Sequence, residues 1–320
     1  MATSPPGVER LPHDRSHLLC HNREAQKPTE LFKESIDRWL GAIVSDDSAT
    51  DSRAGVPVRG AVFAKGDGTV AGRPPIERLV GRHFPSCEIE WFVSEGGKVS
   101  KTQKILALNG PSSSVLSCER ILLNLLGRMS GIATATADWV EESGDIGIAC
   151  TRKTAWGLMD KWAVHVGGGL THRLCRSDAL MIKENDLAVV ESGGEDDCLA
   201  IKSVVESIDL DEHASFTVLE VRRDTQAFAA AKAWSECQSN RGGDEPVTLL
   251  LDNLGPSECE KIHDELVRTG LRSQCILEGS GGVKRMDLKS WSASGVDVLS
   301  TSEVNMEATQ LDVSMMVGEM

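Results

Sequence analysis

No two cysteines of this chain form a CxxC pair, and the nine present (Cys20, Cys87, Cys118, Cys150, Cys175, Cys198, Cys237, Cys259 and Cys275) are an odd, scattered set. That excludes a disulfide framework and predicts free thiols in a reducing compartment. No run of 18 apolar residues occurs, and the first residues lack the apolar core of a signal peptide. The expectation is therefore a soluble, cytoplasmic protein. Neither the GxxxxGK loop followed by Ser or Thr nor GxGxxG is found, so nothing points to a P-loop or a dinucleotide fingerprint. Positive charge is scarce as well. Lys and Arg number 34 against 48 Asp and Glu, a net charge of −14, and the pI is near 5.1. General binding to nucleic acid or to an anionic membrane, which needs a basic surface, is excluded.

What is present is a long globular chain: 320 residues, 40% hydrophobic, enough to bury a large core and to divide into about two domains. One stretch reverses the sign of the whole. Between Thr151 and Lys183 lie six cations (Arg152, Lys153, Lys161, Arg173, Arg176, Lys183) against Asp160 and Asp178, six minus two, a local charge of +4. Cations gathered on an acidic protein attract a small anion, and planar Arg groups beside point-charge Lys suit carboxylates and phosphates. A solvated basic face is the bland alternative. It fits poorly here, because the cations flank a Gly167-Gly168-Gly169 turn and an apolar run, Ala179 to Ile182, that delivers Lys183 at its end.

In chain order, residues 1–29 carry Pro5, Pro6, Pro12 and Pro28 among charges and predict a flexible arm. Within it His13, His17, Cys20 and His21 have zinc-ligand chemistry, yet Asp14, Arg15 and Arg23 surround them without a second ligand pair, so a solvated tail is the preferred reading. Leu31, Ile36, Trp39 and Leu40 share a helical face. Residues 58–72 read as a hairpin about Gly66-Asp67-Gly68, and 89–93 with 104–108 as a further strand pair. Ser117 is placed to cap a helix through Ile121, Leu122, Leu125 and Met129 that Gly131 would end. Arg120 would then lie in a helix's first turn, where a cation is unfavourable, so it faces either solvent or an anionic partner.

Beyond Gly144 the pattern changes to six short apolar runs (146–150, 179–182, 216–219, 247–251, 275–277 and 296–299), most followed by a helical segment. Repeated βα units of this length predict an α/β barrel with its polar residues on one rim; an open doubly wound sheet is the alternative. On that rim Glu220 and Asp252 either cap the following helices or hold Mg²⁺, sugar hydroxyls or a developing positive charge. Glu278-Gly279-Ser280-Gly281-Gly282 offers backbone N–H groups suited to a phosphate. His172 beside Arg173 is either a general acid or carboxylate donor, or a structural histidine. Cys150 and Cys175 have no evident base and are not nucleophiles.

The words ERILLNLLGRMSGIAT (119–134), TRKT (151–154), GGGLTHRL (167–174), SDALMIKEND (177–186), LEV (219–221), LLDN (250–253), EGSGG (278–282) and SGVDVLS (294–300) together resemble the quinolinate phosphoribosyltransferase family, also called nicotinate-nucleotide pyrophosphorylase (carboxylating). The resemblance implies an N-terminal α/β sandwich domain (30–130, with 303–320 packing back on it) and an incomplete, six- or seven-stranded α/β barrel (131–302). It implies transfer of a phosphoribosyl group from phosphoribosyl pyrophosphate to quinolinate with decarboxylation, giving nicotinate mononucleotide, CO₂ and pyrophosphate for NAD biosynthesis. By the same likeness Arg152, His172 and Arg173 would hold the quinolinate carboxylates, and Arg120 would reach in from the neighbouring subunit of a homodimer or larger assembly. Lys153 and Lys183 would stand between substrate and phosphoribosyl group, Glu220 and Asp252 near the ribose and Mg²⁺, and Ser280, Gly281 and Gly282 on the 5′-phosphate. Thr171, Asp186, Val218 and Ser302 differ from residues common in the family at those places. Two other readings stay open: a nicotinate-type phosphoribosyltransferase, and a catalytically impaired ligand-binding relative.

Overall fold

The computed structural model describes residues 11–21, 27–183, 197–208 and 216–319. Helix α1 (Glu30–Asp46) starts at Thr29, whose hydroxyl accepts the Phe32 N–H at 3.2 Å. It buries Phe32, Ile36 and Leu40, a strict four-residue spacing. Leu31, expected on that face, lies about 100° around the helix from Phe32 and is exposed.

Strands β1 (Pro57–Ala64), β2 (Gly68–Thr69), β3 (Glu88–Trp91), β4 (Lys98–Val99) and β5 (Lys104–Pro111) follow, with α2 (Arg73–His83) between β2 and β3. The main N-terminal sheet has the order β12-β1-β5-β3, where β12 (Val313–Glu319) comes from the far end of the chain. All its pairings are antiparallel, including the expected one between β3 and β5. The hairpin expected about Gly66 to Gly68 does not form. Both edges of β1 are taken, by β5 and β12, and β2 pairs with β4 instead.

Helix α3 (Ser112–Ser143) has 32 residues and spans about 48 Å at the α-helical rise. It begins before Ser117 and runs on through Gly131, past the domain boundary expected there. The Ser117 hydroxyl accepts the Thr50 N–H instead of capping a helix. A Cβ at Gly131 would collide with the Thr309 carbonyl oxygen, so the glycine admits the 309–310 segment to the helix surface and does not end it. Arg120 is accordingly mid-helix and exposed, not in a first turn.

The second sheet holds β6 (Gly147–Cys150), β7 (Leu180–Ile182), β8 (Thr217–Val221), β9 (Val247–Asp252), β10 (Cys275–Ser280) and β11 (Val298–Thr301), in the order β6-β11-β10-β9-β8-β7 and all parallel. These are the six apolar runs. From β7 onward each strand neighbours its successor until β11 returns to β6, which is barrel winding; a doubly wound sheet would reverse direction at a switch point. Among the described residues β6 and β7 do not pair with each other, so the barrel is incomplete. Helices Asp197–Ser207, Asp224–Arg241 and Pro256–Arg268 connect successive strands.

Two buried carboxylates tie the layers together. Glu95 accepts N–H bonds from Gly72 and Arg73 at the start of α2, and the Trp162 indole N–H at 2.7 Å from α4 (Leu158–Val166). Asp160, also on α4, takes a two-pronged bond from Arg128 of α3.

The flexible arm expected over 1–29 needs correction for residues 11–21. His13 and Leu19 are fully buried. Leu11 packs against Ala149, Leu170 and Val298 inside the barrel, while Arg15 pairs with Asp178 and donates its backbone N–H to Thr171 Oγ1 at 2.8 Å. The segment therefore touches the barrel beside β6 and again just ahead of β7, where the sheet is open. Burial of His13 and Leu19, with Leu11 partly buried beside them, outweighs the mobility that the prolines and charges implied. Residues 1–10 and 22–26 of the expected arm lie outside the described residues. The zinc-like set does not converge either: His13 enters the barrel, whereas Cys20 Sγ donates to the Lys27 carbonyl.

Candidate active site

A cavity of about 470 Å³ opens at the carboxyl ends of the barrel strands. Parallel pairing aligns the strands so that Asp252 sits beside Ser280, and Ser280 beside Ser300. Those three form one wall, continued by Glu220 at the end of β8. The rest of the lining comes from Thr151, Arg152 and Lys153 just after β6, from His172 and Arg173, and from Lys183 just after β7. The backbone after β6 is held by Asn305, whose amide donates to the Lys153 carbonyl at 2.7 Å. A larger pocket, about 530 Å³, lies against α3 and residues 307–312. Its one cation, Arg285, is already paired with Asp138 and Glu142, and none of the strand-end residues lines it, so the smaller cavity is the candidate site.

The local charge divides into two groups. Lys161 is buried and spends its ammonium on the carbonyls of Thr171 at 2.6 Å and Thr151 at 3.2 Å, a structural role. Arg176 is exposed and does not line the cavity. Arg152, Lys153, Arg173 and Lys183 do line it. Lys183 pairs with Glu220, and Asp252 accepts from Arg222 at 3.3 Å. Arg152 and Arg173 have no ion pair among the described residues. Arg173 is only 7% exposed, and a terminal NH₂ group of its guanidinium contacts Met181 Sδ at 2.9 Å. Burial, then the nearby Arg152, push its pKa below the ordinary arginine value, with Glu278 only partly offsetting them; it stays charged all the same.

His172 adopts φ +50° and uses both ring nitrogens within the protein. Nδ1 accepts the Arg173 N–H at 2.7 Å, and Nε2 lies 3.1 Å from Glu278 Oε1. Since Nδ1 faces a donor, the ring proton resides on Nε2 and is donated to Glu278. Burial pushes the His172 pKa down, only partly offset by Glu278. Burial alone would raise the Glu278 carboxyl, but His172 and His13, both hydrogen-bonded to it, hold it well below the usual carboxylate range. The two directions agree, because N–H donors from neutral rings suffice to keep a carboxylate ionised.

Three residues expected in the site are not in the cavity wall. Gly281 and Gly282 follow Ser280 at φ +92° and +62°, and a Cβ on Gly281 would come within 2.7 Å of the Asn253 backbone nitrogen, so the turn beside the wall demands glycine. Arg120 is exposed on α3. Reading the sequence missed His13 and the depth of Glu278. A charged residue between Leu277 and Gly279, inside an apolar strand, was the available signal for the latter. Thr171 carries the N-terminal segment, Val218 is core, and Ser302 directly precedes the short helix Glu303–Met306 without a side-chain capping bond; Asp186 lies outside the described residues.

Sequence models of the quinolinate phosphoribosyl transferase N-terminal and C-terminal domains match residues 47–130 and 132–316. The chain belongs to the quinolinate phosphoribosyltransferase family. Among relatives, a probable nicotinate-nucleotide pyrophosphorylase (carboxylating) of Methanothermobacter thermautotrophicus is 33% identical over 263 residues, covering 79% of this chain and 86% of that one. Quinolinate phosphoribosyltransferase (decarboxylating) 1 of Nicotiana glauca is 30% identical, covering 91% and 83%. The crystal structure of NadC from Streptococcus pyogenes superposes with a TM-score of 0.75 at 28% identity, covering 91% of this chain and 99% of that one. Both halves of this phosphoribosyltransferase architecture are thus present in one chain.

Proposed function

We propose that this protein transfers the phosphoribosyl group of phosphoribosyl pyrophosphate to quinolinate, with loss of CO₂ and pyrophosphate, to form nicotinate mononucleotide for NAD biosynthesis. The observation that carries the reading is the pair Arg152 and Arg173, arginines without ion pairs among the described residues, with Lys153 on the same wall. A pyridine dicarboxylate supplies two anions to such a wall, and guanidinium forks hold carboxylates in a fixed plane. A monocarboxylate such as nicotinate would leave one of these cations uncompensated. His172 stands behind Arg173, because neither of its ring nitrogens is free to meet the substrate in this arrangement.

In the same cavity lining, Glu220 and Asp252 would face the ribose, with Lys183 already beside Glu220. Their hard oxygen donors, each partly neutralised by one cation, suit Mg²⁺ held through one or two carboxylates together with substrate phosphates. When bound, that ion would neutralise charge on the departing pyrophosphate. Ser280 and the Gly281–Gly282 turn would take the 5′-phosphate. As the C1′–O bond to pyrophosphate breaks, the electron pair leaves with pyrophosphate and C1′ gains oxocarbenium character, which fixed carboxylates stabilise without reorganisation. The pyridine nitrogen then donates its lone pair to C1′. The pyridinium so formed draws electrons from the adjacent ring carbon; the C–CO₂ bond breaks, and the pair left on that carbon takes a proton. Arg120, exposed on α3, would reach a partner's cavity in a homodimer, and the compartment is cytoplasmic in this reading.

The test is an assay with quinolinate, phosphoribosyl pyrophosphate and Mg²⁺, following nicotinate mononucleotide and CO₂. Product from quinolinate and none from nicotinate is expected. Turnover of nicotinate without CO₂, or tight quinolinate binding with no pyrophosphate formed, would replace this reading.

A further inference from the structure

His13 is the residue that neither the sequence pattern nor the proposed chemistry accounts for. It belongs to the N-terminal segment, 265 positions from Glu278, yet its Nε2 lies 3.1 Å from Glu278 Oε2 with both side chains fully buried. His172 Nε2 takes the other oxygen, Oε1, at 3.1 Å. The two imidazoles meet edge to face, with ring centroids 5.0 Å apart, and each also packs on Phe216. His13 Nδ1 is buried without a hydrogen-bond partner. A protonated His13 would leave an N–H donor orphaned there, whereas a neutral ring leaves only a lone pair, so the proton belongs on Nε2. One carboxylate therefore receives one N–H from each ring.

We propose that His13 is a positioning residue for the substrate pocket, acting through Glu278 and His172 on Arg173. Without the His13 donor, Glu278 would have one lone-pair face desolvated and unpaired, and its hold on the His172 ring would loosen. His172 sits at a left-handed backbone angle and its Nδ1 anchors the Arg173 N–H. The chain of contacts thus ends on the arginine that lines the cavity. Arg15 and Thr171 fasten the same segment one step away, by the 2.8 Å bond between the Arg15 N–H and Thr171 Oγ1.

His13, His172 and Glu278 are also near enough to share a metal ion. The protonation pattern disfavours that. A metal on His172 Nε2 would require the proton on Nδ1, and Nδ1 faces the N–H of Arg173; only an imidazolate would satisfy both. The hydrogen-bonded network is the arrangement the geometry supports.

This inference rests on the proposed reaction for its kinetic readout, and the experiment separates the two. In the full chain, His13→Phe fills the volume without a donor, and His13→Gln restores an N–H that reaches a carboxylate. His13→Phe should raise KM for quinolinate about tenfold while KM for phosphoribosyl pyrophosphate stays within about twofold, and His13→Gln should recover most of the loss. Equal KM values for His13→Phe and wild type would overturn the proposal. So would a His13→Gln variant as impaired as His13→Phe, since that would mean the N–H donated to Glu278 is not what the pocket needs. Stoichiometric metal in the purified wild type, lost in His13→Phe, would replace it with a metal site. Nitrogen-15 NMR of the His172 ring decides the point independently of turnover: Nε2–H in the wild type and altered shifts in His13→Phe support the relay, and identical shifts sink it. Absence of product from the wild type would instead count against the proposed reaction.

Discussion

At the residue scale, the proposed role of Arg173 in substrate binding would couple function to instability. A guanidinium buried to 93%, with a thioether at 2.9 Å and another arginine nearby, has no ion pair among the described residues, and sites of this kind commonly cost stability that a bound anion returns. Arg173→Met should therefore leave the melting temperature equal or higher while raising KM for quinolinate on the order of a hundredfold, the loss expected for a charge-assisted two-pronged bond. A clear fall in melting temperature would show that Arg173 supports the fold instead. His172 gives a second measurement. Its ring is unprotonated when folded, with a pKa below the ordinary 6.5. Just below that value the unfolded chain binds a proton that the folded chain does not, so this contribution is complete above about pH 6.5 and is lost as pH falls through the folded pKa. For one proton the slope is at most about 1.4 kcal/mol per pH unit. Glu278 titrates well below 4.5, outside the window. Urea midpoints at several pH values between 7.5 and 5.5 should fall less steeply in His172→Asn, whose side chain tolerates φ +50°; equal slopes would rule His172 out as the source. The charged residues at this site were legible because a run of cations on an acidic chain has few structural causes. The Glu278 network was not, because it joins residues 13, 172 and 278, and hydrogen-bond pairing across such separations leaves no periodic trace in sequence.

Among elements, the six barrel strands were readable since each is a short apolar run between polar ends, a signal local to a few residues. Pairing in the N-terminal sheet was only half readable. β3 and β5 pair across a short connection, but β1 takes its second neighbour, β12, from the other end of the chain, and the hairpin expected from the Gly-rich turn lost to it. Helix α3 was misjudged for a related reason. Ser and Gly are also a helix's cap residues, and nothing local distinguishes a capping Ser117 or Gly131 from residues serving Thr50 and Thr309. The glycine can be tested directly. Gly131→Ala, favourable in an isolated helix, places a methyl group against the Thr309 carbonyl and should cost about 1–3 kcal/mol by overpacking. In limited proteolysis the segment joining the barrel to β12 should become the first site cut. A stabilised variant with unchanged cleavage would mean that α3 and the 309–310 segment can separate without cost.

For the whole molecule, the cavity described here holds cations and carboxylates from one chain, while Arg120 stands exposed on α3 and away from it. If a dimer completes each pocket with the partner's Arg120, the two defects of Arg120→Ala and Lys183→Ala fall in different places: one protomer donates, the other receives. Each homodimer of a single variant then has two damaged sites. A mixed dimer of the two variants has one site with both defects and one with none. Random re-pairing of equal amounts makes half the dimers mixed, each with one intact site of two, so activity should recover to about a quarter of wild type. The two proteins should be unfolded and refolded together to allow exchange, with each refolded alone as the control. Recovery must also scale with the mixed-dimer fraction measured by mass spectrometry under native conditions. A sum no greater than the two controls, with mixed dimers shown to be present, would place Arg120 outside the pocket and return it to the role of a solvent-facing residue on a long helix.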